Sequence, residues 1–179
     1  MSNRQLTPDL NLACMMVMFG VIGPFALQVF LPSLPGLKAE FNISYAEVQL
    51  TVSLYLLTFA CAQLIYGPLA DRFGRRRTIL VGLAIYIVAP LICANAMSIL
   101  ALTVGRVLQT VGACAGLMFA RVVARDIYGR NRAASAIGLV TMVSALIGSV
   151  TPMLGGWIDI NFGWRMSFWV TAGLGLVAF

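Results

Sequence analysis

Gly67-Pro68-Leu69-Ala70-Asp71-Arg72-Phe73-Gly74-Arg75-Arg76-Arg77 separates two long apolar runs, and the reading of the chain turns on it. The stretch is too short and too highly charged to serve as a packing connection alone. It also conflicts with local electrostatics. Asp71 follows the expected C-terminus of one helix and the arginines precede the N-terminus of the next, so each charge opposes the helix dipole beside it. A membrane topology rule accounts for the arginines, but nothing local accounts for Asp71. Its partner is therefore expected from elsewhere in the fold.

Outward from this stretch the chain is unusually apolar. Of 179 residues, 60% are hydrophobic and 10% charged, with a mean hydropathy of +0.93. So few charges do not cover a water-exposed surface. The apolar residues fall into runs of about 18–22, the length that crosses a hydrocarbon layer of about 30 Å. We expect an all-α membrane protein with helices at 10–32, 47–67, 78–97, 99–121 and 134–155, and a sixth over 166–179. That sixth run is 14 residues long at Phe179, shorter than a crossing, so the expectation is a chain ending inside its sixth helix. The first run is too long for a cleaved signal peptide and no small-residue cleavage site follows it.

The net charge of +6 is distributed unevenly. With the N-terminus inside, the cytoplasmic segments hold Arg4, Arg72, Arg75, Arg76, Arg77, Arg121, Arg125, Arg130 and Arg132, and the outer loops only Lys38 and Arg165. Nine against two is the bias that orients membrane proteins, and no nucleic-acid partner is needed to explain it. Cys14, Cys61, Cys93 and Cys114 lie in expected helices without metal-type spacing and read as packing residues. The chain has no histidine, which removes His-based metal sites and acid–base chemistry within it. There is no nucleotide-binding loop and no nucleophile–base arrangement. We expect no cofactor, no metal and no enzymatic activity.

Ser44 and Glu47 have the spacing of a capping box, with Ile43 and Val48 as the accompanying hydrophobic staple. That gives Glu47 a structural task. The connection from the fourth to the fifth helix carries a second isolated acid, Asp126, among Arg121, Arg125, Arg130 and Arg132. It reads as a solvated charged loop as readily as a functional one. Arg106 lies about eight residues into the fourth helix, roughly 12 Å from its outer end. A charge at that depth costs at least about 2.5–3.5 kcal/mol, so it should face the bundle interior and have a partner. Arginine stays protonated, so it would tune a carboxylate or hold an acceptor rather than carry a proton.

The run from Gly67 to Arg77 resembles the signature between helices two and three of the major facilitator superfamily. The longer run from Val48 through Gln63-Leu64-Ile65-Tyr66-Gly67-Pro68 is similar to the Bcr/CflA subgroup of drug-resistance transporters. Leu102 to Ala113, including Gly105-Arg106, Gln109 and Gly112, resembles the second motif, with Thr110 where a glycine is usual. Thr151-Pro152-Met153-Leu154-Gly155-Gly156 is similar to the antiporter motif of helix five, and Asn161-Phe162-Gly163-Trp164-Arg165 also suits these exporters.

The resemblance implies a six-helix N-terminal bundle over 1–179, with a C-terminal transporter half outside the chain as partner. It implies a multi-pass protein of a bacterial-type cytoplasmic membrane, and export of drugs or small apolar metabolites by alternating access, coupled to protons. Gly67, Asp71, Arg72, Gly74, Arg75 and Arg76 would form a gating segment with Asp126, and Arg106 would take part in proton coupling. In helix five, Gly148, Pro152, Gly155 and Gly156 would allow bending or close packing. Gln28, Tyr55, Gln63 and Gln109, with Asn95, Ser144, Met15, Met16, Met18 and Phe25, are candidates for a cavity wall, though at helical spacing they fit packing as well. One departure matters: Gln28 stands before Leu31-Pro32 where the subgroup usually has an acid. The acids present are Asp9, Glu40, Glu47, Asp71, Asp126 and Asp159, all outside or at the ends of the apolar runs. Coupling would then rest on a carboxylate in the other half, or be of another kind. Two alternatives stand beside drug export, a carrier for another solute such as an amino acid or sugar, and a membrane fragment that does not transport.

Overall fold

Pro24, Pro68, Pro90 and Pro152 each lie inside a helix. In water an interior proline costs a helix about 3 kcal/mol or more; in a membrane bundle neighbouring helices re-satisfy the freed backbone groups. The computed structural model describes the backbone of residues 10–178 and the side chains of 14–126 and 133–178. Arg4 and Asp9, and the side chains of Arg130 and Arg132, fall outside these residues.

The elements are α1 (Leu10–Gln28), a 3-10 turn (Leu31–Ser33), α2 (Leu34–Phe41), α3 (Tyr45–Phe73), α4 (Arg75–Ala94), α5 (Ile99–Phe162) and α6 (Trp164–Ala178). No strand occurs among the described residues. The stretch 14–41 and the helices that follow supply five apolar segments long enough to cross a membrane: Cys14–Phe41, Tyr45–Phe73, Arg75–Ala94, Ile99–Asp126 and Ala133–Phe162. This is a multi-pass membrane protein.

Several helix limits differ from the sequence expectation. The first helix stops at Gln28 rather than at 32, and the chain turns through Leu31-Pro32-Ser33 into α2, a helix not foreseen. Pro32 and Pro35 explain the break, because each occupies a first-turn position where its missing N–H has no partner to lose. Asn42 ends α2 in the left-handed conformation. The second helix, expected to end at 67, runs on to Phe73. The charged stretch is therefore mostly helical, and the connection to α4 is the single residue Gly74, whose φ of +87° suits glycine. Asp71 lies in the last turn of α3 and not after it. The Ser44–Glu47 capping box is formed, with Ser44 N donating to Glu47 Oε2 at 2.8 Å.

Element α5 comprises 64 helical residues, about 96 Å if straight and some three membrane thicknesses. Its neighbours show that it doubles back. Along α1, Phe19, Gly23 and Ala26 meet Phe119, Ala113 and Arg106 in falling order. Val140, Gly148 and Gly155 meet Gly20, Gln28 and Val29 in rising order. The arm Ile99–Asp126 thus runs antiparallel to α1 and the arm Ala133–Phe162 parallel to it. The first arm and α1 form the middle of the bundle, with α3, α4 and α6 against them.

Gly155 of the second arm lies on the backbone of Val29, and Gly148 faces the Gln28 amide. At Gly148 and Gly155 the absence of a side chain allows this close approach. Cys93 and Cys114 are buried as expected of packing thiols, whereas Cys14 and Cys61 are exposed. Large apolar side chains point outward all round the bundle, among them Leu64, Met153 and Ile160, the face required when lipid is the solvent.

Candidate functional site

Arg106 is fully buried on the first arm of α5, at the centre of the bundle. Its Nη1 donates to Gln109 Oε1 at 2.8 Å, one turn further along the arm, and to the carbonyl of Ala26 at 2.9 Å. Ala26 is among the last residues of α1, whose final carbonyls have no partner within the helix, so the guanidinium caps the negative end of that helix. Its plane is enclosed by rings. The Cζ atom lies 4.4 Å from the Phe30 centroid, 4.3 Å from Tyr55 and 5.9 Å from Phe168. Such desolvated cation–π contacts are worth about 2 kcal/mol each, enough to offset the insertion cost. Nε and Nη2 have no hydrogen-bond partner, so half of the guanidinium edge is held by the rings alone.

The polar contacts extend from this centre to α6, and α3 and α4 add two more to the same stretch of α1. Gln109 Nε2 donates to Thr171 Oγ1 of α6 at 3.4 Å. Tyr55 of α3 and Tyr86 of α4 donate to the carbonyls of Gly23 and Ile22, at 3.0 and 3.1 Å. Three side chains from three helices thus converge on the backbone around Pro24. No carboxylate contacts Arg106 among the described residues. Of the two tasks foreseen for Arg106, the geometry shows the holding of acceptors.

The candidate cavity residues do not share one cavity. Tyr55 and Gln109 are buried against Arg106, where each satisfies a partner, and Gln28 packs beside Gly148. Asn95 turns back to the Leu91 carbonyl and Ser144 to that of Val140. Gln63 lines a cavity of about 240 Å³ that it shares with Tyr66, Gly67, Cys114, Arg121 and Arg125. There its Oε1 accepts from Arg121 Nη1 at 3.3 Å. Phe30, Tyr86, Phe168 and Thr171 were not foreseen. Their aromatic and hydroxyl side chains fit ordinary packing at helical spacing, and only the folded arrangement shows that they surround a charge.

At the basic end, Arg75 Nη1 pairs with Asp126 Oδ2 at 3.2 Å. Asp71 makes no ion pair among the described residues, and Gly67, Arg72, Gly74 and Arg76 line the same end without joining the pair. Both partners are more than half exposed, so the contact contributes at most about 1 kcal/mol. Asp126→Asn is accordingly expected to lower bundle stability by less than about 1 kcal/mol in a detergent melting experiment.

At the opposite end Glu40 of α2 accepts from the Trp164 indole and, at 2.6 Å, from Arg165 Nη1; Arg165 also donates to the Ala96 carbonyl at 3.3 Å. This ties α2, the end of α4 and the start of α6 together. Pro152 and Gly156 lie on the second arm beside the turn that follows α1, where Gly156 faces Pro32.

A multi-pass helical bundle with a buried cation at the crossing of its helices, and most of its arginines gathered at one end, is the architecture of a membrane protein rather than of a soluble domain. Residues 14–179 match the family model of the Major Facilitator Superfamily. The chain belongs to that superfamily. It is 32% identical over 160 residues to multidrug resistance protein D of Escherichia coli K12, covering 89% of this chain and 41% of the relative. Over 182 residues it is 32% identical to a chloramphenicol resistance protein of Pseudomonas aeruginosa, covering 99% and 43%. Against multidrug resistance protein MdtL of Escherichia coli O81 the identity is 33% over 153 residues, covering 86% and 39%. The chain spans about two fifths of the length of these curated relatives.

Proposed function

We propose that this bundle is one wall of an exporter of drugs or small apolar metabolites, working by alternating access against a second six-helix half. The observation that carries the reading is Arg106: a membrane protein retains a fully buried charge when that charge performs work, and here it joins α1, α3 and α6 around one point. The names of the relatives, multidrug and chloramphenicol resistance, supply the substrate class.

Coupling is to protons, with the titrating carboxylate contributed by the second half, because Gln28 does not titrate and Arg106 stays charged. Arg75 and Asp126 act with Asp71 as a latch at the cytoplasmic end. Asp71, helical and without an ion-pair partner among the described residues, faces the other half. The basic end lies in the cytoplasm and the protein resides in a bacterial inner membrane, in keeping with the distribution of arginines.

The test is export by an intact two-half transporter in an efflux-deficient host, scored as intracellular drug with and without a protonophore. Extrusion that collapses with the gradient is the expected result. Extrusion indifferent to it would remove proton coupling and favour a carrier of another kind.

A further inference from the structure

Between α3 and α4 lies a groove of about 440 Å³ that the mechanism above does not use. Its walls are Ile65, Leu69 and Phe73 of α3 and Val81 and Ile85 of α4, with Arg77 at one end. Ile65, Leu69, Phe73 and Val81 are all exposed to the surroundings of the bundle. Among the described residues no acidic side chain lines the groove, and none stands in the first turn of α4. A second cation lies at the same end, since the Arg72 guanidinium sits 5.4 Å from the centroid of the Phe73 ring.

The extent of the groove distinguishes its occupants. From Phe73 to Ala62 it runs eleven residues along α3, and from Arg77 to Ile85 eight along α4. At 1.5 Å per residue these are roughly 16 and 12 Å, about half the hydrocarbon thickness of ~30 Å. A membrane-spanning helix of a partner would not stop at the midplane. One leaflet's depth, apolar walls and cations at the water-facing end fit a molecule with an acyl chain and a negative head.

We infer that this groove is a binding site for an anionic phospholipid, with an acyl chain between α3 and α4 and the phosphate at Arg77 and Arg72. Juxtamembrane arginines attract anionic headgroups by charge. Asp71 stands in the same last turn of α3 but makes no ion pair among the described residues, so it does not occupy the cations that the headgroup would meet.

The test is native mass spectrometry of the purified chain with phosphatidylglycerol or phosphatidylcholine of matched acyl chains, and with sn-glycerol 3-phosphate as the headgroup alone. Phosphatidylglycerol is expected to be retained preferentially. Arg77→Gln, in the lining, and Arg72→Gln, whose guanidinium lies on the lining Phe73 ring, should each reduce that preference about fivefold and together about 25-fold, while Arg76→Gln, in neither position, should leave it nearly unchanged. Val81→Trp fills the groove from an exposed position and should reduce retention with all arginines present; far-UV circular dichroism confirms that each variant is folded. Equal retention of both lipids by the unsubstituted chain would overturn the proposal. So would retention unaltered by the double arginine substitution. Full competition by glycerol 3-phosphate would show an anion site in which the groove has no part, and would overturn it equally.

Discussion

Replacing Arg106 with methionine is expected to abolish export while leaving the bundle folded. The two halves of this outcome follow from separate terms. Methionine fills much of the same volume without charge, and the insertion cost of about 2.5–3.5 kcal/mol is lifted. Against this are lost three ring contacts of up to about 2 kcal/mol each and two hydrogen bonds, worth about 0.6–1.7 kcal/mol each between membrane helices. The losses exceed the gain, and sulfur–aromatic contacts of methionine with the same rings offset part of the difference, so the melting temperature in detergent should fall while the helices persist by circular dichroism. The cap on the Ala26 carbonyl and the link through Gln109 to Thr171 disappear altogether. Export falling to the level of untransformed cells, with membrane insertion intact, is the expected pattern. Normal export by the folded variant would remove Arg106 from the mechanism.

Gly112→Val should produce the largest loss of stability of any single substitution considered. A Cβ at Gly112 would lie 2.6 Å from Tyr86 Cα and 2.7 Å from the Gly82 carbonyl oxygen, and would also strike the Tyr86 amide. These are backbone atoms, so relief requires α4 to move away from the first arm of α5. Alanine is expected to cost about 1–3 kcal/mol as an overpacked site, and valine more. The movement would also shift Tyr86 from the Ile22 carbonyl, disturbing the surroundings of Arg106. Gly138 and Gly173 provide the contrast, because an added Cβ there meets nothing within 4 Å. Alanine at either should be neutral or stabilise its helix by up to about 1 kcal/mol. Thermal unfolding followed by circular dichroism separates the two classes, and equal effects at Gly112 and Gly138 would contradict the close approach.

The membrane class, the number of long apolar segments and the capping box at Ser44 were legible in the sequence, because each rests on patterns within about twenty residues. The interior position of Arg106 was legible too, since the cost of an exposed charge in hydrocarbon leaves few other places for it. Helix ends near proline were misread. The second helix was expected to end at 67, yet α3 continues through Pro68 to Phe73, and the turn with α2 after Gln28 was hidden inside an apolar run. What could not be read was long-range pairing. Tyr55 and Gln109 resemble cavity residues in isolation and are instead consumed by Arg106 and the α1 carbonyls. Glu40 meets Trp164 and Arg165 across more than 120 residues, and no local pattern announces that contact.

The proposal that this bundle is one wall of a two-wall exporter is tested most directly by drug accumulation in efflux-deficient cells expressing this chain, a complementary six-helix half, or both. The account predicts that only the pair lowers intracellular drug, and that it ceases to do so when this chain carries Arg106→Met. Lowered accumulation in cells expressing this chain alone would contradict it.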